Sequence, residues 1–477
     1  MSDFLIKLLL PTLFGKMPIL KVDWYKSQYP DVAKSQMSAT THFRKFGSAE
    51  GRIPNQAVAD LWAKKDTSVI PQLTVDAARY GVNAAAARWI LARWYAYQDA
   101  WQKALALYDH IGAKQISRLS VGQRLLLLDA LVHCQQYEQA QTLIEQWLTE
   151  PKGRVNDGWL AKANLVSLSA SGAAGEWLAC MNILYRQHGL ADLALREPQS
   201  LQLDSLCCEN APGIEHGPLV SVIMPVRNGA RWIATALDSL LQQTWQQLEI
   251  IVVDDASDDE TVAIVETYVR LHSHKIKLLQ QAQAGGTYAA RNAGLKIATG
   301  EFVTVHDADD WSHCEKIARQ VMALQDNSAA MASVSHWVRA SSELVFGGWH
   351  TPENWNGWVH RNVSSLMLRR TAIEQLGYWD AVRCSADTEY YYRLMRAYGR
   401  QTVIEVLPGV PLAMGRSHAH SLTQQSATNV FTVFGGVRKT YHQAFAQWHK
   451  QAGNIEALYL AQYPQQRPFP APPEMLI

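Results

Sequence analysis

Three polar runs in this 477-residue chain each follow an apolar run, and their residue types could do chemistry together. Pro225-Val226-Arg227-Asn228 follows LVSVIM, Asp254-Asp255 follows LEIIVV, and His306-Asp307-Ala308-Asp309-Asp310 follows EFVTV. Carboxylates crowded on one edge raise each other's pKa unless a cation joins them. The net charge is +1 and no basic run stands beside these acids. A divalent cation is the economical partner: hard Mg²⁺ or Mn²⁺ takes oxygen ligands, commonly one or two carboxylates plus substrate phosphates. An Asp-x-Asp turn such as Asp307-Ala308-Asp309 turns both carboxylates one way, one for metal and one for a sugar or ribose. Alone, such a triplet is most often a solvated turn. A second aspartate pair at a neighbouring strand end makes it a candidate site.

The elements that must position these residues alternate in type. Residues 219–226, 248–255, 275–280 and 301–307 read as strands, and 230–244 and TYAARNAGLKIA as helices. Ser257–Glu260 and Ser312–Glu315 have the spacing of capping boxes opening further helices. Strand-helix alternation predicts an α/β domain with a mostly parallel sheet covered on both faces. Such sheets bind ligands at the carboxyl ends of their strands, where the polar runs fall.

Five segments then occur in an order that resembles glycosyltransferase family 2. VSVIMPVRN, IIVVDDASDDET, GGTYAARNAG, HDADD and SSLMLRRTAIEQLGYWD look like that family's successive motifs, and the resemblance spans about 218–425. It departs at Arg227, where the family commonly has Tyr. The resemblance implies the GT-A fold, Rossmann-like with a mostly parallel sheet, and an inverting transfer from a nucleotide sugar, most often a UDP-sugar. By it, Pro225, Val226 and Asp255, with Arg227 and Asp254 beside them, hold base and ribose. Arg291 lies near base or diphosphate, and Asp307 and Asp309 engage ribose, phosphates and metal.

Inversion needs a carboxylate that takes the proton of the attacking hydroxyl. The family places it in E-D-x-D-(L/Y)-x2-R, matched here by Ala386-Asp387-Thr388-Glu389-Tyr390-Tyr391-Tyr392-Arg393, so Asp387 falls on the base position. Ala386 replaces the usual Glu. The alternative role for Asp387 is a helix N-cap. Arg416-Ser417-His418 looks like the family's late R-x-H, which makes His418 a candidate metal or diphosphate ligand. Trp349 and Trp355 stand in a Gly/Asn-rich stretch and are candidate acceptor contacts, since aromatic faces suit sugar rings. Trp379 reads as core.

Composition sets the wider frame. With 44 Lys+Arg against 43 Asp+Glu and no polybasic run, nucleic-acid binding has no electrostatic basis. Six cysteines without a C-x-x-C pair suggest neither a disulfide framework nor zinc, and fit a cytoplasmic setting. The start, MSDFLIKLLLPTLFGKMPIL, is too short and interrupted to span a membrane. It reads as a helix docked on its own protein or as a peripheral contact with a membrane surface. Residues 1–55 form a small helical module whose D-W-Y…Y-P-D-V run resembles one that accompanies bacterial surface-polysaccharide glycosyltransferases. Residues 56–205 read as all-helical and tetratricopeptide-like. Trp101-x2-Ala104-x2-Leu107 lines up with Tyr137-x2-Ala140-x2-Leu143, and Trp177, Cys180 and Ile183 are a degenerate third copy. A linker follows at 206–217, then the transferase domain at 218–430 and a C-terminal helix with a Pro-rich tail at 431–477.

The expected function is a metal-dependent inverting glycosyltransferase with Mn²⁺ or Mg²⁺. Its donor is a nucleotide sugar, and its acceptor a glycan or lipid-linked glycan of bacterial surface polysaccharide. The helical region is a possible protein-binding surface. The alternatives are an inactive transferase-like adaptor, which Ala386 and Arg227 keep open, and a nucleotidyltransferase, against which the Asp387 and His418 segments argue.

Overall fold

The computed structural model describes residues 19–48, 50, 52–109, 111, 116, 118–151, 155–169, 174–209, 211–348, 357–418 and 428–477. The leading segment read as a docked helix or membrane contact, and Trp349 and Trp355, lie outside the described residues. No helix among the described residues is long and apolar enough to cross a membrane. The chain divides into two compact units, one up to Ala140 and one covering Gln141–Gly348 with Trp358–Ile477.

The first unit is helical. Short helices Val22–Gln28, Pro30–Lys34 and Ala39–His42 gather around the buried Tyr25, whose ring lies 4.7 Å from Tyr29 and 5.4 Å from Phe43. Gly47 is required there, because a Cβ at that position would stand 2.1 Å from the Tyr25 hydroxyl oxygen. Ala104 and Ala140, the small residues of the repeat-like segments, are fully buried on helices. Ile183 of the third copy, in the second unit, is exposed, so the spacing does not carry through.

The second unit is built on a seven-stranded sheet. Its strands are β3 (Val220–Val226), β4 (Leu248–Asp254), β5 (Ile276–Gln280), β6 (Phe302–Val305), β8 (Ala332–Val334), β11 (Met367–Arg369) and β12 (Val403–Glu405), in the order β12-β8-β11-β6-β3-β4-β5. β6, β3, β4 and β5 are parallel, and β11 runs against both neighbours. A four-stranded sheet takes β7 (Trp311–Ser312), β9 (His336–Ala340), β10 (His360–Arg361) and β13 (Pro411–Arg416). β1 (Leu193–Leu195) and β2 (Leu206–Cys208) form a small hairpin-like pair, so the stretch read as a linker begins as a strand. Helices Asn156–Leu168 and Ala174–Gln187 belong to this same unit. Asn164 exchanges two hydrogen bonds with the Phe346 backbone, and the Tyr185 hydroxyl donates to Pro411 O at 2.8 Å.

The parallel strands read as unbroken apolar runs because both faces are covered. β3 and β4 are buried at every residue. The chain goes from β3 to β4 and β5 on one side and returns to β6 on the other, which makes the β3/β6 edge the switch point where such sheets open a crevice. Pairing with β6 ends at Ile223↔Val305, while pairing with β4 continues to Val226↔Asp254. Pro225 lies in the stretch freed from β6, where its missing N–H costs little.

At the opposite end of the sheet, Glu249 of β4 ties together β3, β5 and the turn that precedes β6. Its carboxylate accepts from the Ser221 hydroxyl, the Thr299 hydroxyl and N–H, and Gly300 N–H, and pairs with Lys277. Burial alone would raise this carboxyl, but the bonds from Lys277, Ser221 and Thr299 bring it down to about 2. A carboxyl held below its unfolded value stabilises the fold above the unfolded pKa and loses that stabilisation as pH falls through the folded one. Urea unfolding should therefore show wild-type stability declining between pH 4.5 and 2. Glu249→Gln should be less stable at pH 7 by about 1–3 kcal/mol and flatter across that acid window.

Candidate active site

Helix Thr287–Ile297 organises the crevice. Its sequence ARNAG divides the work by position. Gly294 lets the helix rest directly on the sheet, since a Cβ there would lie 2.7 Å from Ile223 Cγ2. Asn292 is pinned to the Trp379 backbone by a reciprocal pair at 2.8 and 3.0 Å. Arg291 is then carried, almost wholly buried, to the acid loop, where it donates to Asp307 Oδ1 at 2.8 Å. One turn earlier, the Tyr288 ring lies under the Arg291 guanidinium at 5.0 Å, and the Tyr288 hydroxyl donates to Asp387 Oδ1 at 2.9 Å. Residues three apart on a helix share a face, so one element reaches both the acid loop and Asp387.

The strand-end aspartates have separate environments. Asp255 accepts the N–H groups of Gly285 and Gly286, one on each oxygen, at 2.6 and 2.8 Å. Gly286 has φ +80, a conformation that favours glycine. Asp254 accepts Ser257 N–H on Oδ2, and its Oδ1 is a buried atom without a hydrogen bond. Pro225 and Val226 are buried at the strand end, whereas Arg227 is exposed. The Ser257 hydroxyl accepts Asn228 N–H instead of capping a helix, so the first expected capping box does not form; Glu260 is the N-cap and its side chain makes no capping bond. The second fails for a similar reason. Ser312 is in β7, where its hydroxyl meets His306 and Lys316, and Glu315 turns to Ala191 N–H.

In the acid loop, burial would raise the Asp307 carboxyl, but the Arg291 charge and hydrogen bond hold it below its ordinary value. Asp310 goes the other way: burial, with Asp309 and Asp307 adding, pushes it well above the ordinary carboxylate range, and it accepts Arg416 N–H at 3.0 Å. Burial takes the His306 imidazole down to about 3, with Lys316 adding, so the ring is neutral near pH 7. Burial also brings the Lys316 ammonium down to about 8. Asp309 is the open member. Its Oδ2 lies 3.0 Å from His418 Nε2, and that imidazole packs tilted against Trp232 at 4.3 Å between centroids.

Arg291, Arg339 and Lys316 all face these acids, so the protein supplies more cationic compensation than the sequence indicated. Tyr288, Trp232 and Arg339 were also missed. Tyr288 had a readable signal, its helical spacing from Arg291; Trp232 and Arg339 reach the site only through tertiary folding. A metal still fits. Two donors 3.0 Å apart, one carboxylate oxygen and one imidazole nitrogen, match the spacing around a single divalent cation, and the partly exposed Asp309 leaves the other positions to phosphate oxygens and water. Asp307 Oδ1, by contrast, is engaged by Arg291. Asp307, Asp309 and His418 do not form a three-ligand cluster. Among the described residues, only Cys208, His313 and Cys314 bring three ligand atoms within 4.8 Å of one another.

Asp387 is the second residue of helix Ala386–Tyr398, whose N-cap is Ser385 at φ 69, so it is not itself the cap. Its Oδ1 accepts both Tyr288 OH and Thr388 N–H. Among the described residues all its hydrogen bonds use Oδ1, and Oδ2 makes none. Ala386 is fully buried in the core, so that position faces the protein interior. Glu389, also fully buried, pairs with Arg393 at 3.0 Å and meets His449 Nε2 at 2.8 Å, fastening this helix to Val437–Gln451. Trp379 is core, as expected.

With that geometry in place, the comparison with known proteins is specific. Residues 221–384 match the family model Glycosyl transferase family 2. The matched segment contains Pro225, Asp255, Arg291, Asp307 and Asp309 and ends three residues before Asp387. Glycosyltransferase GlyG of Streptococcus pneumoniae is 35% identical over 161 residues, covering 34% of this chain and 51% of that protein. The uncharacterized glycosyltransferase YibD of Escherichia coli is 44% identical over 91 residues, 19% of this chain and 26% of that protein. The chain thus spans about half the length, or less, of these relatives. A crystal structure of S. aureus TarS 1-349 in complex with UDP-GlcNAc overlaps 43% of this chain and 61% of that one at 22% identity, with a TM-score of 0.35.

Arg416 locks the acid loop from behind. Its buried guanidinium donates to Asp309 O at 3.0 Å and Ser342 Oγ at 3.2 Å, and pairs with Asp204. A lysine cannot reproduce that planar fork. Arg416→Lys should cost about 1–3 kcal/mol in urea unfolding, and leucine at this position should cost more.

Proposed function

We propose that this chain is an inverting glycosyltransferase that moves a sugar from a nucleotide sugar, a UDP-sugar in the first instance, to a hydroxyl of a bacterial surface glycan or lipid-linked glycan. The supporting observation is the Thr287–Ile297 helix, which carries Arg291 to Asp307 and Tyr288 to Asp387 on one face. The donor side and the candidate base are thereby held in one frame, as an in-line displacement requires.

In this reading the nucleoside lies at the ends of β3 and β4, against Pro225, Val226, Asp254 and Asp255, with Arg227 at the rim. Arg291 and Arg339 offset the diphosphate's charge alongside Asp307. Asp309 and His418 would hold Mn²⁺ or Mg²⁺, which neutralises charge on the leaving diphosphate. Asp387 Oδ2 takes the acceptor's hydroxyl proton as the acceptor oxygen bonds the anomeric carbon. The bond from that carbon to the phosphate oxygen breaks, and the nucleoside diphosphate leaves with the electron pair. Tyr288 and Thr388, holding Oδ1, keep Oδ2 aimed at the acceptor side.

Calorimetric titration with UDP, with and without Mn²⁺, tests the donor half. Binding should depend on the metal and weaken at least tenfold in Asp309→Ala; metal-independent binding unchanged by that variant would overturn the assignment. Asp387→Asn should bind UDP as the wild type does and transfer sugar about 10²–10⁴-fold more slowly. Transfer at the wild-type rate would remove Asp387 as the base.

A further inference from the structure

The six cysteines form no C-x-x-C pair, so the sequence carries no soft-metal motif. The fold supplies one. Cys208, at the end of β2, is brought beside His313 and Cys314, which directly follow β7, and one ligand atom from each lies within 4.8 Å of the others. We propose that Cys208, His313 and Cys314 form a binding site for a thiophilic divalent ion, zinc above all, distinct from the cleft at Asp309.

The donor set is chemically apt. Two thiolates and a neutral imidazole are the ligands zinc prefers, and with Zn²⁺ they sum to zero charge, which suits a buried place. His313 is fully buried and Cys314 nearly so, while Cys208 is partly exposed. An ion can therefore enter from the Cys208 side, and a water there can complete a tetrahedron. The surroundings are those of a supported site. His313 Nε2 lies 3.0 Å from the Ala191 carbonyl oxygen, an N–H···O=C bond that fixes the tautomer and leaves the lone pair on Nδ1. Among the described residues Nδ1 accepts only the long Glu315 N–H bond at 3.2 Å, which a metal would replace. Cys314 N–H donates to Cys208 Sγ at 3.1 Å, the kind of backbone bond that supports a metal-bound thiolate. The Tyr185 ring covers the imidazole at 4.8 Å between centroids. The ion would join the β1–β2 pair to His313 and Cys314, three and four residues beyond Asp310.

The test uses the whole chain. After expression with added zinc and exhaustive dialysis, metal analysis should find about one zinc per chain. Cys208→Ala and Cys314→Ala should lose it. Cys207→Ala should retain it, because neighbouring strand residues point to opposite faces. Cobalt-loaded wild-type protein should show thiolate-to-cobalt charge transfer and tetrahedral d–d bands, a readout that does not depend on a variant folding. Wild-type protein without bound zinc or such bands would overturn the proposal, as would zinc retained by Cys208→Ala. Loss of two of the six titratable thiols in denatured, unreduced wild type would overturn it too, in favour of a Cys208–Cys314 disulfide.

Discussion

The ion pair between Arg291 and Asp307 is the constraint on which the cleft depends. A guanidinium that is almost wholly buried must be paired or it destabilises the fold. Its position is set by two contacts of the same helix, Gly294 on the sheet and Asn292 on the Trp379 backbone. The acid loop is consequently located by the helix as much as by the strand that precedes it. Through Tyr288 the same helix also fixes Asp387, and Glu389 and His449 keep that carboxylate's own helix from shifting.

Three neighbouring aspartates meet three fates in this frame. Asp307 is held ionised by Arg291, Asp310 is buried and pushed up until it serves as a backbone acceptor, and Asp309 keeps an open face beside His418. Like charges so close could not all remain ionised in water-poor surroundings. Arg291 compensates one of these carboxylates and the Arg416 N–H bonds another, which leaves Asp309 as the carboxylate with an open face.

Much of this was legible in the sequence, for identifiable reasons. The parallel strands announced themselves as apolar runs because both faces are covered, and the polar residues just after them fell at the crevice because sheet topology requires it. Asp307, Asp309 and Asp387 could be picked out on that basis together with motif order. The protein's own countercharges could not. Arg339 reaches the acids from β9, Lys316 from a helix, and Trp232 meets His418 across 186 positions, and none of these distances has a sequence signature. The two serine-led capping signatures misled because each hydroxyl found a stronger use: Ser257 in holding the β3 turn, and Ser312 in satisfying His306 and Lys316. Cys208 and Cys314 were separated by 106 positions, so their proximity was invisible.

Arg416 pairs with Asp204 across 212 residues while its backbone N–H is taken by Asp310. Closing so long a loop carries an entropic penalty that must be met before the contact contributes anything. Folds dominated by such distant pairings assemble slowly. The acid loop therefore acquires its final shape late in folding, once strands from both halves of the second unit have met. A nascent chain that has not yet delivered β13 has the aspartates but lacks the Arg416 guanidinium that holds their loop from behind.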